Sequence, residues 1–160
     1  VESLMLESDD GLIWRKRAVF QEIGGDETAF LFEPDGSILG VGRRGGPAQL
    51  LRSRPPYDKW ERTDLERFIG GPLLAKWGDR YLVGGRKTRG GTPPRLSLYW
   101  LANDKLHEFA ELPSGGDCSY PGFVELSPTR ALVSYYSSHE RDAAGKTITA
   151  IYLAELVRAD

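Results

Sequence analysis

The chain has 160 residues, the length of one domain with a core of its own. Hydrophobic residues make up 40% and charged residues 28%, and 21 Lys and Arg face 23 Asp and Glu for a net charge of −2. That balance lacks the strongly basic face a nucleic-acid binder needs, and no apolar run reaches the length of a membrane span. A single cysteine, Cys118, excludes an internal disulfide, and 19 Gly and 10 Pro fit short strands joined by tight turns better than helices.

In chain order the strand signals fall into a repeating scheme. Residues 3–20 read as a pair of strands. Residues 29–43 then read as a hairpin, an apolar run broken by Glu33-Pro-Asp-Gly36. A further strand pair follows at 48–62. The same sequence of events recurs with a hairpin at 72–86 and a pair at 96–112, and again with a hairpin at 122–136 and apolar residues over 147–156. The aromatics that close the second strand pairs, Trp14, Trp60 and Phe109, are separated by 46 and 49 residues. Four short strands per roughly 40–50 residues is the mark of a propeller blade. The best helix candidate, over 62–68, is only about two turns long.

The predicted architecture is therefore an all-β propeller of four-stranded antiparallel blades, treated as one domain over 1–160. Residues 1–20 form the end of one blade, 21–66 and 67–113 two whole blades, and 114–160 an incomplete last one that stops near Ala159. About three blades cannot close a ring, because closed propellers have roughly four to eight and open sheet edges invite aggregation. The expectation is a missing N-terminal half; a second copy of the chain, head to tail, is the rival. The first residue is Val1 rather than Met, so the chain carries no information on a leader or on a compartment.

Ser8-Asp-Asp-Gly-Leu-Ile-Trp14 resembles the Asp box of the sialidase (neuraminidase) superfamily, also called the BNR repeat, one residue shorter than the usual form. Its work is structural: Asp10 caps the turn's amides, Gly11 takes a left-handed conformation, and Trp14 is expected to pack between sheets. A second resemblance is an ordered set along nearly the whole chain. In sialidases the later half of a six-bladed propeller supplies a glutamate, an arginine ending the same hairpin, a second arginine and a tyrosine. The matching residues here are Glu27, Arg43, Arg86 and Tyr120, the last within Asp117-Cys-Ser-Tyr-Pro-Gly122.

The resemblance implies a retaining exo-glycoside hydrolase that removes a terminal acidic sugar from a glycan or glycoconjugate. Arginine grips a carboxylate bidentately, so Arg43 and Arg86 would hold the sugar's carboxylate. A carboxylate nucleophile would be repelled by that group, and sialidases use tyrosine instead. A phenol with a pKa of about 10 needs a base, so Tyr120 would attack while Glu27 takes its proton. The resemblance brings no cofactor, and many relatives are exported.

Each of these residues also has a plainer explanation. Arg43 stands beside Arg44, and Arg86 beside Lys87 and near Arg89, as solvated loop charges do. Glu27 follows Gly24-Gly-Asp26 and fits a polar turn, while Tyr120 beside Pro121 fits a core aromatic. Tyr135 and Tyr136 compete with Tyr120, and since successive strand residues point to opposite faces, at most one of them can join it. His107 and His139 stand too far apart in the repeat for a metal pair, and Cys118 lacks partners, so no metal site is expected. The family's third arginine and its acid/base aspartate, both from the N-terminal half, have no counterpart here. The alternative is a non-catalytic propeller that binds carbohydrate or protein through its loops.

Overall fold

A computed structural model describes residues 1–88 and 93–158; Arg89 and Ala159 lie outside the described residues. It contains thirteen strands in four antiparallel sheets and, among the described residues, no helix. Sheet 1 pairs β1 (Ser3–Glu7) with β2 (Arg15–Gln21). Sheet 2 is β3 (Thr28–Phe32), β4 (Ile38–Gly42), β5 (Gln49–Ser53) and β6 (Trp60–Asp64), paired in that order. Sheet 3 repeats the pattern with β7 (Gly70–Trp77), β8 (Arg80–Lys87), β9 (Arg95–Ala102) and β10 (Lys105–Leu112). Sheet 4 has three strands, β11 (Cys118–Ser127), β12 (Arg130–Arg141) and β13 (Thr147–Val157). Every pairing joins consecutive strands, and none of the four sheets closes on itself.

The sheets stack face to face in chain order, each interface built from alternate residues of the facing strands. Sheets 1 and 2 enclose Ala18, Phe20, Ile38, Leu51 and Trp60. Val41, Leu50, Val83 and Tyr99 join the core between sheets 2 and 3. Trp77, Leu82, Leu98 and Val133 join the core between sheets 3 and 4. Neighbouring residues therefore serve opposite interfaces: Leu82 faces sheet 4 and Val83 faces sheet 2. Each such fully buried side chain contributes about 1.5–3 kcal/mol. Within sheet 2 the Phe30 ring lies over its cross-strand partner Gly40, where a Cβ would come within 2.8 Å of it.

Two expectations need correction. Residues 62–68 are not helical: Arg62 lies inside β6, where Leu51 is its cross-strand partner, and its guanidinium reaches back to the carbonyls of Val19 and Phe20. Tertiary pairing overrides a weak helical tendency in so short a segment. Trp14 does not pack between sheets; it is 59% exposed, beside exposed Leu12 and Ile13. The turn itself is built as expected, with Asp10 Oδ1 accepting the amides of Leu12 and Ile13 at 2.8 and 2.9 Å and Gly11 at φ +75°. Among the described residues sheet 1 packs on sheet 2 alone, through the side where Ala18 and Phe20 point.

Candidate functional site

The first strands of sheets 2, 3 and 4 lie next to one another, β3 against β7 and β7 against β11. Their N-terminal ends form one side-chain cluster. Glu27 immediately precedes β3 and is held across the hairpin mouth, where the Arg43 amide donates to its carbonyl at 2.8 Å. Beneath this mouth lies fully buried Gln21, which accepts from Thr28 Oγ1 at 3.2 Å and donates to the Arg43 carbonyl at 3.4 Å. A buried amide is stable only when partnered in this way, and the partnering pins both strand ends.

Three donors converge on the Glu27 carboxylate. Arg43 Nη1 reaches Oε2 at 2.7 Å, the Gly71 amide reaches the same oxygen at 3.1 Å, and the Tyr120 hydroxyl donates to Oε1. Arg43 is steadied further by Asp26, 3.2 Å from its Nε, and by the Phe68 ring, 5.6 Å from its Cζ. Gly71 is required by this arrangement. Its φ is +53°, and a Cβ there would come within 2.3 Å of Ser119 Oγ and 2.9 Å of the Tyr120 amide. Ser119, buried beside it, donates to the Gly70 carbonyl at 2.8 Å and so ties β11 to β7.

Tyr120 itself has φ +49°, a conformation seldom taken by a residue with a side chain. It lies where the β11–β12 register shifts between Ser119 and Gly122. Such strain persists only where the surroundings impose it, and it clusters at functional sites. Tyr120 as a whole is 56% exposed.

Arg86 stands one step away. It is the penultimate residue of β8, and its Nη1 pairs with Asp117 Oδ1 at 2.9 Å. Tyr136 donates to the same Asp117 oxygen at 2.9 Å and stacks on Tyr120, with ring centroids 6.0 Å apart. Glu27, Arg43 and Tyr120 thus touch directly, and Arg86 joins them through Asp117 and Tyr136. Of the two competing tyrosines only Tyr136 shares this cluster. Tyr135 points the other way, buried, with its hydroxyl on the Pro113 carbonyl at 2.9 Å.

Four contributors went unread in the sequence: Asp26, Phe68, Gly71 and Asp117. The acids adjoin residues that were singled out, Asp26 next to Glu27 and Asp117 three before Tyr120, so proximity alone was a usable signal. Phe68 and Gly71 flank a strand start and carry no pattern of their own.

The electrostatics follow from the contacts. Burial pushes the Glu27 carboxyl up, but the hydrogen bonds from Tyr120, Arg43 and Gly71 outweigh it and hold the carboxyl below its ordinary range. The same bond to Glu27, aided by burial, raises the Tyr120 phenol above its usual value. Burial and then Asp117 push Tyr136 up to about 12. At neutral pH the cluster therefore holds an ionised carboxylate with a neutral phenol aimed at it. Neither arginine spends its whole fork of five N–H groups on these acids. Among the described residues, no group of His, Cys, Asp and Glu is placed to hold a metal ion, and no helix is long and apolar enough to cross a membrane.

No family model and no curated protein matches the chain. Among solved structures, a protein of unknown function from Dyadobacter fermentans superposes on 97% of this chain with a TM-score of 0.73 at 22% identity. The matched region covers 45% of that protein, so the chain spans less than half of its length.

Proposed function

We propose that the chain is part of a β-propeller of sialidase type, a retaining exo-glycoside hydrolase acting on a terminal acidic sugar. The four sheets are consecutive blades, with β3, β7 and β11 innermost, and the ring is of six blades. In support, these strands lie side by side, and the outermost faces of the stack leave Leu4, Leu6, Ile151 and Leu153 exposed, as faces meant to meet further sheets do. A longer chain or a second copy would supply the remaining blades.

The observation that carries the chemistry is the hydrogen bond from Tyr120 to Glu27, with Arg43 on the other carboxylate oxygen. Tyr120 Oη attacks the anomeric carbon while its proton passes to Glu27 Oε1, and the bond to the leaving oxygen breaks. Water then attacks the anomeric carbon of the aryl glycosyl intermediate, losing its proton to the group that had protonated the leaving oxygen, and the phenol departs with the proton held on Glu27. The free N–H groups of Arg43 and Arg86 bind the sugar's carboxylate. Protonation of the leaving oxygen, worth about 10²–10⁴ in rate, falls to an acid outside the residues assigned here.

A non-catalytic glycan- or protein-binding propeller is the second reading. It is favoured by the ion pairs that already occupy both arginines, Arg43 with Asp26 and Glu27 and Arg86 with Asp117. Hydrolysis of a fluorogenic sialoside by the whole protein decides between them. Turnover that disappears in Tyr120→Phe supports the hydrolase; turnover undiminished in that variant removes Tyr120 from the mechanism.

A further inference from the structure

Beside this cluster, on the far side of Asp117, a cleft of about 910 Å³ opens between the ends of sheets 3 and 4. One wall is the start of β9 with the end of β10, and the other is the end of β12. The loop 113–117 forms the floor. Asp117 belongs to both places, lining the cleft while it binds Arg86 and Tyr136. A molecule seated over Tyr120 and extending past Asp117 enters this cleft.

The floor is built rather than incidental. The Gly115 amide donates to Ser137 Oγ at 3.0 Å, and its carbonyl accepts from the Ser138 amide at 3.1 Å. The absence of a side chain at Gly115 keeps the floor open: a Cβ would lie 3.0 Å from Arg95 Nη1 and 3.3 Å from the Cβ of His139. Arg95 and His139 therefore face each other across a gap that almost any other residue would fill.

The charges in the cleft are not balanced. Glu111 is held by Lys87 at 2.7 Å and faces Arg95 Nε at 3.6 Å, while Asp117 is taken by Arg86. Among the described residues Arg95 Nη1 bonds carbonyls, the nearer being Ser114 O at 2.6 Å. Arg141 bonds the Gly145 carbonyl at 2.8 Å and has no carboxylate within ion-pair distance among the described residues. His139 uses Nδ1 toward Ser137 Oγ at 2.9 Å and rests its ring on Tyr152, which leaves Nε2 for a ligand. Two guanidinium groups with donors to spare and an imidazole nitrogen suit a sugar bearing a negative charge.

The geometry points to this cleft as a second sugar subsite: it takes the residue next to the terminal sugar and holds an anionic substituent on it, a carboxylate or a sulfate ester, between Arg95 and Arg141. That the ligand is a sugar rests on the reading of the neighbouring cluster as a glycan site; recognition of the anion does not depend on turnover.

Amide chemical shifts of the whole protein, titrated with galactose 6-sulfate, glucuronic acid, galactose and inorganic sulfate, test this. Both acidic sugars should shift the Gly115, Gly116 and Ser138 amides saturably and bind at least about tenfold more tightly than galactose, the scale of one lost charge-assisted contact. Arg141→Gln, a change at an exposed side chain, should cost a similar factor, and Gly115→Val should abolish binding. Arg43→Gln should leave these shifts unaltered. Equal response to galactose, or an unchanged affinity in Arg141→Gln, overturns the proposal, and inorganic sulfate matching galactose 6-sulfate overturns the sugar part of it. Saturable shifts here together with full sialoside turnover in Tyr120→Phe would sink the hydrolase mechanism and leave the cleft standing.

Discussion

The Tyr120 hydroxyl donates to Oε1 of Glu27, a residue 93 positions earlier in the chain and two sheets away. Between them stands the Gly70–Gly71 corner of β7: its Gly71 amide bonds Glu27, and its Gly70 carbonyl accepts from Ser119, the residue before Tyr120. The pair exists only because three strand starts meet.

If Tyr120 attacks and Glu27 takes its proton, Tyr120→Phe should abolish sialoside turnover and Glu27→Gln should reduce it by about 10²–10⁴, the usual worth of a positioned base. The KM should change less than kcat, since neither group grips the substrate carboxylate. Steady-state kinetics on the two variants checks this.

The acid side of the pH profile should reflect Glu27. Its carboxyl is held below the ordinary range, so the base stays ionised and kcat/KM should hold as pH falls to about 4.3, the unperturbed glutamate value, declining only below it. The Tyr120 phenol is raised, so no loss of its proton should appear below about pH 10. A pH–rate profile with an acid limb well above pH 5 would contradict the assignment of Glu27.

The same depressed carboxyl makes a stability prediction. A group whose pKa is lower in the folded state stabilises the fold above its unfolded pKa and loses that contribution as pH falls through the folded value. Urea unfolding should therefore show the wild type ahead of Glu27→Gln at pH 7, by about 1–3 kcal/mol for charge-assisted hydrogen bonds of this kind. The gap should shrink below pH 4.3 or so, where the unfolded carboxyl begins to bind its proton. A gap independent of pH would place the effect elsewhere.

Gly71→Ala should disturb the pair without touching either member. Its Cβ would fall 2.3 Å from Ser119 Oγ at a φ of +53°. We expect a cost of about 1–3 kcal/mol and a marked fall in turnover. The sheets should remain, as far-ultraviolet circular dichroism would show.

Trp77→Ala tests the stacking of sheets 3 and 4. Trp77 is 1% exposed, packs on Trp100 and Phe123, and donates from its ring nitrogen to the Ser127 carbonyl at 3.2 Å. Its loss should cost about 3–5 kcal/mol in chemical denaturation. A cost below about 1 kcal/mol would mean that the two sheets do not depend on this contact.

The strand pattern was readable because it is local. Alternating apolar residues and turns at Glu33-Pro-Asp-Gly36 or Trp77-Gly-Asp-Arg80 are set by neighbours a few positions apart, so the grouping into four sheets could be read along the chain. Glu27, Arg43, Arg86 and Tyr120 stand out in the sequence only through the order they share with the site residues of sialidases. What each touches could not be read there: Asp117 beside Arg86, Gly71 on Glu27 and Tyr136 on Tyr120 depend on how whole sheets stack. Residues 62–64 and Trp14 misled for the same reason, the former drawn into a strand by their partner β5 and the latter left exposed in the turn before β2.

By itself, then, the order of residues determined where strands begin and turn, since hydrogen bonding and alternation act over short range. The tertiary structure alone decided that an acid and a guanidinium group at the end of sheet 2 and a phenol from sheet 4 are hydrogen-bonded together, across the Gly71 amide of sheet 3. Burial and direct contact, which shift the protonation of all three, arise only when distant segments are brought within a few ångströms.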